Sequence, residues 1–245
     1  MTTLGLTNYK IVDDIDFLNK MKGLIFLNDD VRPVWIGPGF ASTNVTDHKA
    51  YANWANEHWG LYYGFVKTDT NPKDEVILDL GCGVGFCSVN LTEFYPNATI
   101  EAYDIDEVII DFAKESNFHD RVEYKIENII SCQFPNNVDK IFLIETLEHI
   151  KHMYHFQLID KCLNSLKDEN ARLFISTPNE QTFFNTERGH VGIMTKHHFP
   201  KFFNKYKNNI VSVEFYDNKK LSTFEPEDYT SENDNMSHYK IVMKK

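Results

Sequence analysis

Residues Val76 to Phe86 read Val-Ile-Leu-Asp-Leu-Gly-Cys-Gly-Val-Gly-Phe, and they set the architecture expected of the whole chain. A short apolar run ends near an acid, Asp79, and glycines then alternate at Gly81, Gly83 and Gly85. That order predicts a buried parallel strand turning tightly into a helix. Glycines at such a turn permit backbone conformations closed to other residues and let a ligand approach closely. The turn therefore predicts a bound cofactor, the plain alternative being a tight strand–helix turn with no ligand.

A dinucleotide does not fit the spacing. Its fingerprint needs Gly-x-Gly-x-x-Gly, with a small third residue for close helix–strand packing. Here the third glycine comes one residue early and Phe86 stands where Gly or Ala is wanted. The run Asp79-x-Gly81-x-Gly83-x-Gly85 resembles the cofactor loop of class I S-adenosylmethionine-dependent methyltransferases. The resemblance implies that Gly81, Cys82, Gly83 and Gly85 border S-adenosylmethionine. It also implies that Asp79 and backbone carbonyls receive the ammonium of the methionine end.

Outward from this loop, Ala98 to Tyr103 reads as a second strand with Asp104 at its end. An acid roughly 20 residues beyond the glycines is where doubly wound folds bind ribose hydroxyls. The other reading makes Asp104 an ordinary turn acid. Ile105 is suited to pack against adenine. Asp106 is placed to cap a helix over Glu107 to Ser116, with Val108, Ile109 and Phe112 on its buried face. Arg121 to Ile126 predicts a third strand. The amide or acid that binds the adenine amino group in the resembled family falls here on Asn128, with Ile129 beside it; the family more often has Asp.

Val138 to Ile150 resembles the family's fourth strand and the loop after it, with Glu145-x-x-Glu148-His149. The likeness runs in order and register from Val76 to Pro178. The Glu-x-x-Glu-His stretch is similar to that of ubiquinone-pathway O-methyltransferases. It is also similar to that of methyltransferases acting on the terminal 2′-hydroxyl of small RNAs. On that resemblance Glu145, Glu148, His149 and His190 would hold a divalent cation. Two carboxylates and two imidazoles suit Mg²⁺ or Mn²⁺. A second reading makes His149 or His190 a general base without metal. A third makes Glu145 and Glu148 loop acids and packs His149 beneath the cofactor. Glu145, His149 and His190 are the catalytic candidates, and Glu145 also counts among the cofactor contacts. His152 and His155 are expected on an exposed helix face.

Composition agrees with one α/β enzyme domain. At 245 residues the chain can bury a large core. Aromatic content of 14% speaks for a packed chain rather than disorder. Four cysteines (Cys82, Cys87, Cys132, Cys162) show no paired metal-ligand spacing and read as small thiols. Without a bilayer-length apolar stretch or an apolar leader, the expected location is cytoplasmic. A net charge of −11 argues against nucleic acid as partner. Lys196, Lys201, Lys205 and Lys207 read as a solvated helix face.

Residues 1–72 are expected to form a helical extension or lid, with Tyr51, Trp54, His58, Trp59 and Tyr62 in one aromatic stretch. Residues 73–245 form the methyltransferase domain. After a helix over Met153 to Lys167, Arg172 to Ser176 is the fifth strand. Asn208 to Phe215 and Ser237 to Met243 then make a terminal antiparallel pair. The fold implied is a Rossmann-like, seven-stranded, mostly parallel sheet with helices on both faces and an antiparallel last strand.

The expected function is methyl transfer to a hydroxyl of a small molecule: a phenol, catechol or sugar. An oxygen acceptor needs a base or a metal, and this chain offers candidates for both. The Asn/Asp-Pro-Pro-aromatic signature of amino-directed DNA methyltransferases is missing; the corresponding strand end reads Ile144-Glu145-Thr146-Leu147. Metal-dependent 2′-O-methylation of an RNA end and a non-catalytic cofactor-binding partner protein are the alternatives.

Overall fold

The computed structural model describes residues 73, 75–83, 85–178, 192–194, 198–217, 220–224 and 238–245. The expected lid over residues 1–72 and His190 lie outside the described residues.

The apolar run forms strand β1 (Val76–Leu80), and Ile77, Leu78 and Leu80 are fully buried. Each such side chain contributes roughly 1.5–3 kcal/mol by leaving water. The glycine turn opens helix α1 (Phe86–Phe94). Then follow β2 (Thr99–Asp104), α2 (Glu107–Ser116), β3 (Val122–Ile126) and β4 (Lys140–Ile144). A 3-10 turn (Leu147–His149) leads into α3 (His152–Ser165), β5 (Arg172–Pro178) and α4 (Phe199–Tyr206). The chain closes with β6 (Ile210–Asp217), β7 (Lys220–Phe224) and β8 (His238–Met243).

The sheet order is β3-β2-β1-β4-β5-β8-β6-β7. Strands β1 to β5 are mutually parallel, and β8 runs antiparallel between β5 and β6. The expected mostly parallel sheet with an antiparallel last strand is thus present. Two details differ. The last strand is interior rather than at the edge, and a hairpin partner, β7, extends the edge beyond β6. The β7 pairing arises because the chain turns back at once after β6, which no alternation in the sequence signalled.

Helices cover both faces. Leu91 of α1 and Tyr95 just after it pack with Ile100, Phe142 and Phe174, and Ile110 and Ala113 of α2 pack with Ala102 and Tyr124. On the other face, Leu158, Ile159 and Cys162 of α3 and Phe199 and Phe202 of α4 join Leu78, Ile141, Leu143 and Ile175. Lys201 and Lys205 lie on the outer side of α4, while Phe199, Phe202, Phe203 and Tyr206 are buried. Asp106 caps α2 as expected, its Oδ1 accepting from Ile109 N–H at 3.3 Å. Arg121 closes the carboxyl end of α1, donating to Thr92 O, Tyr95 O and Ala98 O. Asp168 turns the chain into β5 by accepting from Asn170 N–H and Ala171 N–H.

Chain order runs outward from β1 to β3 on one side and from β4 on the other. The crevice between β1 and β4, at their carboxyl ends, is therefore the topological switch point where open α/β sheets bind ligands. No helix among the described residues is long and apolar enough to cross a membrane.

Candidate active site

The glycine turn is held by the neighbouring strand. Gly81 N–H and Cys82 N–H both donate to Tyr103 O, at 2.8 and 2.9 Å. Gly83 N–H donates to Asp104 Oδ2 at 3.0 Å, and Asp106 N–H to Asp104 Oδ1 at 3.0 Å. Asp104 thus joins the end of β2 to the loop after β1. Gly81 and Gly85 have φ of +77° and +79°, the left-handed region that favours glycine. Space excludes a side chain as well. A Cβ on Gly81 would lie 2.5 Å from Thr146 Oγ1, and one on Gly85 would collide with the phenol of Tyr124.

Two buried carboxyls face this turn. Asp79 accepts from Ser88 Oγ at 2.6 Å, and its pKa is pushed up to about 7. Burial is the main cause; the Ser88 hydroxyl opposes it and the Asp104 charge adds to it. Burial also pushes Asp104 up to about 6, against the pull of the Asp106 and Gly83 amides. Both acids titrate near neutrality, so a cationic ligand would shift them to the ionised form. Cys82 is buried too, and burial with the Asp104 and Asp79 charges holds its thiol well above the ordinary range. It is a lining residue rather than a nucleophile.

At the end of β3, Asn128 Oδ1 accepts from Ile130 N–H at 2.9 Å. Asn128 O accepts from Ser131 N–H and Cys132 N–H at 3.0 and 2.8 Å. Ile129 is buried beside Asn128, and Ile105 is half-buried after β2. The candidate contacts Asp79, Gly81, Cys82, Gly83, Gly85, Asp104, Ile105, Asn128 and Ile129 all lie at the ends of β1, β2 and β3.

The loop after β4 carries the other candidates. Glu145 has φ of +50°, a conformation uncommon outside glycine and associated with functional sites. Ser176 Oγ donates to Glu145 Oε1, and Thr177 Oγ1 donates to Glu148 Oε2 at 3.4 Å. Glu148 and His149 are buried, with His149 Nε2 3.9 Å from Glu148 Oε1. Burial, then the Glu145 charge, raises the Glu148 carboxyl well above the ordinary glutamate range.

Of the expected cation site, Glu145, Glu148 and His149 are described and His190 lies outside the described residues. Among the described residues, no group of three or more His, Cys, Asp and Glu side chains could hold a metal ion. Glu145 and Glu148 each accept from a hydroxyl of β5, Ser176 and Thr177 in turn.

The expectation for His152 and His155 fails. His155 is buried, and its Nε2–H points at Leu147 O and Ile150 O, at 3.0 and 2.8 Å. Burial pulls its pKa down to about 4. His152 is half-buried, with Nε2 2.7 Å from Ile193 O. Residues 192–194 return over this end of α3, with Gly192 N–H donating to Glu148 O at 2.9 Å, and that return covers what looked like an open helix face.

Three further residues shape the site without having been singled out. Ser88 partners Asp79, and Tyr124 Oη lies 2.9 Å from Asn117 O and 3.3 Å from Gly85 O. Thr146 Oγ1 lies 3.0 Å from Leu80 O and 2.9 Å from Ile144 O, bridging β1 and β4 at the switch point. Only Tyr124 carried a signal, as the inward residue of a short alternating strand.

A glycine loop with left-handed turns, an acid on the second strand and a crevice at the switch point define the class I S-adenosylmethionine-dependent methyltransferase fold. A family of methyltransferase domains matches residues 71–225, more than half of the chain, and the chain belongs to that family. The malonyl-[acyl-carrier protein] O-methyltransferase of Bacillus cytotoxicus is 32% identical over 112 residues, covering 46% of this chain and 38% of that protein. The mitochondrial ubiquinone biosynthesis O-methyltransferase of Schizosaccharomyces pombe is 31% identical over 108 residues, covering 41% of this chain and 37% of that protein. The chain spans less than half the length of the first curated relatives it matches. A SAM dependent methyltransferase from Archaeoglobus fulgidus shares the fold, with a TM-score of 0.55 at 18% identity over 79% of this chain and 94% of that chain.

Proposed function

We propose that this protein transfers a methyl group from S-adenosylmethionine to an oxygen of a small molecule, a phenol, catechol or sugar hydroxyl. The observation that carries the reading is the contact between Gly83 N–H and Asp104 across a loop in which Gly81 and Gly85 admit no side chain. When bound, the sulfonium supplies an activated methyl group. The chain's own task is to align the acceptor with it and to take up the acceptor's proton.

In this reading Asp79 receives the methionine ammonium and Asp104 the ribose hydroxyls, while Ile105, Asn128 and Ile129 hold the adenine. Buried acids poised near neutrality suit a ligand with a cationic end and a diol. On the acceptor side His149 is the base. Glu148 lies 3.9 Å from the ring, and Glu145, turned to Ser176, borders the cofactor's methyl end. His190, outside the described residues, is kept as a second catalytic candidate. Among the described residues no group of three donors gathers for a cation, and His190, the fourth candidate ligand, lies outside them.

An oxygen acceptor accords with the O-methyltransferases of malonyl-[acyl-carrier protein] and ubiquinone biosynthesis among the similar proteins. The test is transfer of isotope-labelled methyl from S-adenosylmethionine to a panel of phenols, catechols, sugars and carboxylic acids. Label in the first three classes, lost in His149→Ala, is expected. Label in none of the classes, or undiminished label in His149→Ala, would overturn the assignment.

A further inference from the structure

Lys161 stands on α3, half-buried, and its ammonium reaches the turn that follows β3. Nζ donates to the carbonyl of Ile129 and to those of Ile130 and Cys132, the last two at 3.0 and 2.9 Å. An ammonium has three protons, and three carbonyls take them. The ring of Phe134 completes the cage, its centroid 4.1 Å from Nζ. Burial lowers the lysine's pKa, as expected for a charge solvated by backbone dipoles in place of water.

The amides of the same turn converge on Asn128. Ile130 N–H binds its side-chain oxygen, and Ser131 N–H and Cys132 N–H bind its carbonyl. The turn is therefore gripped from two sides, N–H groups on Asn128 and C=O groups on Lys161. The bond from Ile130 N–H also orients the Asn128 amide. It uses one lone pair of Oδ1 and leaves the second to accept from a ligand amino group. Phe134 carries the linkage further, packing edge-on against Tyr103 with centroids 5.8 Å apart, one residue before Asp104.

We propose that Lys161 is a positioning residue for the adenine end of the cofactor site: through three carbonyls it fixes the turn that aims Asn128 at the adenine amino group. The inference rests on the cofactor reading above and assigns Lys161 no contact with the cofactor. Removing the ammonium strands three inward-facing carbonyls, and the turn must rotate to find water. Recognition of the amino group then fails while the ribose and methionine contacts persist.

The test is calorimetric titration of the full chain with S-adenosylhomocysteine and with S-inosylhomocysteine, in which an oxygen replaces the adenine amino group. Wild type is expected to prefer the adenosyl form by ~10-fold or more, as a site built to bond an amino group rejects its replacement. In Lys161→Met the preference collapses to within ~3-fold, whereas Lys161→Arg, which still reaches the carbonyls, retains most of it. Phe134→Leu keeps the ammonium but removes the ring, and lowers the preference by ~3-fold; it carries the test if Lys161→Met does not fold. A wild-type preference in Lys161→Met, whatever its loss of stability, or in Phe134→Leu where that variant carries the test, would show that the lysine merely braces the fold. Wild type that binds neither compound would instead remove the cofactor reading on which the inference stands.

Discussion

The carboxyl ends of β1 and β2 and those of β4 and β5 both gather buried acids, but they treat them differently. Asp79 and Asp104 are held by one hydroxyl and by backbone amides, and both titrate near neutrality. Glu148, across the crevice, is pushed well above the ordinary glutamate range by burial and by the Glu145 charge. The first pair is ready to lose protons to a cationic ligand. The second region is arranged around a carboxyl that favours its proton and an imidazole. A fold of this class can thus build its donor-binding half from backbone geometry and its acceptor half from side chains, and only the first half follows from a short motif.

The widest separation of the two halves should come from Asp104→Ala. Losing a buried acceptor that holds Gly83 N–H and is assigned to the ribose should weaken S-adenosylhomocysteine binding ~100-fold or more in calorimetry. Glu148→Gln should change the same affinity less than ~3-fold. Equal losses in both variants would erase the distinction between the halves.

Next in size is Gly85→Ala. A Cβ there meets Tyr124 and must adopt φ of +79°, so a loss of roughly 2–4 kcal/mol in urea unfolding is expected. A stability within error of wild type would mean that the turn relaxes freely.

The pH response separates the halves without mutation. On the proposed assignment, cofactor binding favours ionised Asp79 and Asp104, whose pKa values of about 7 and about 6 lie above the ordinary carboxylate range. Affinity should therefore be flat above neutrality and fall by ~10-fold or more between about pH 7.5 and 5.5. Loss of the upper step in Asp79→Asn, with the lower one near pH 6 retained, would assign the upper step to Asp79 and the lower to Asp104.

The smallest effect expected concerns Glu148. Folding raises its pKa, so the unfolded chain loses this proton first and the native state loses ground as pH rises above the ordinary glutamate value. Glu148→Gln removes that penalty. It should be more stable than wild type near neutral pH and no more stable near pH 4, read by urea unfolding. A variant less stable than wild type at neutral pH would mean that Glu148 is ionised.

Much of the donor half was legible because local chemistry dictates it. Alternating glycines after an apolar run, an acid at the next strand end and Asp106 before a helix each act within a few residues. The acceptor half depends on what β5 and residues 192–194 bring to it. Ser176 and Thr177 donate to Glu145 and Glu148, and the return of Gly192 and Ile193 buries His155, which spacing alone had left exposed. Ser88, Thr146 and Lys161 escaped notice for the same reason: each acts across the sheet or between elements, at separations from which no periodicity reports.

Titration of wild type with S-adenosylhomocysteine by calorimetry puts the cofactor assignment to the proof. One site per chain with micromolar affinity, abolished in Asp104→Ala, is the expected result. Absence of binding by a folded wild-type protein, or affinity undiminished in Asp104→Ala, would contradict it.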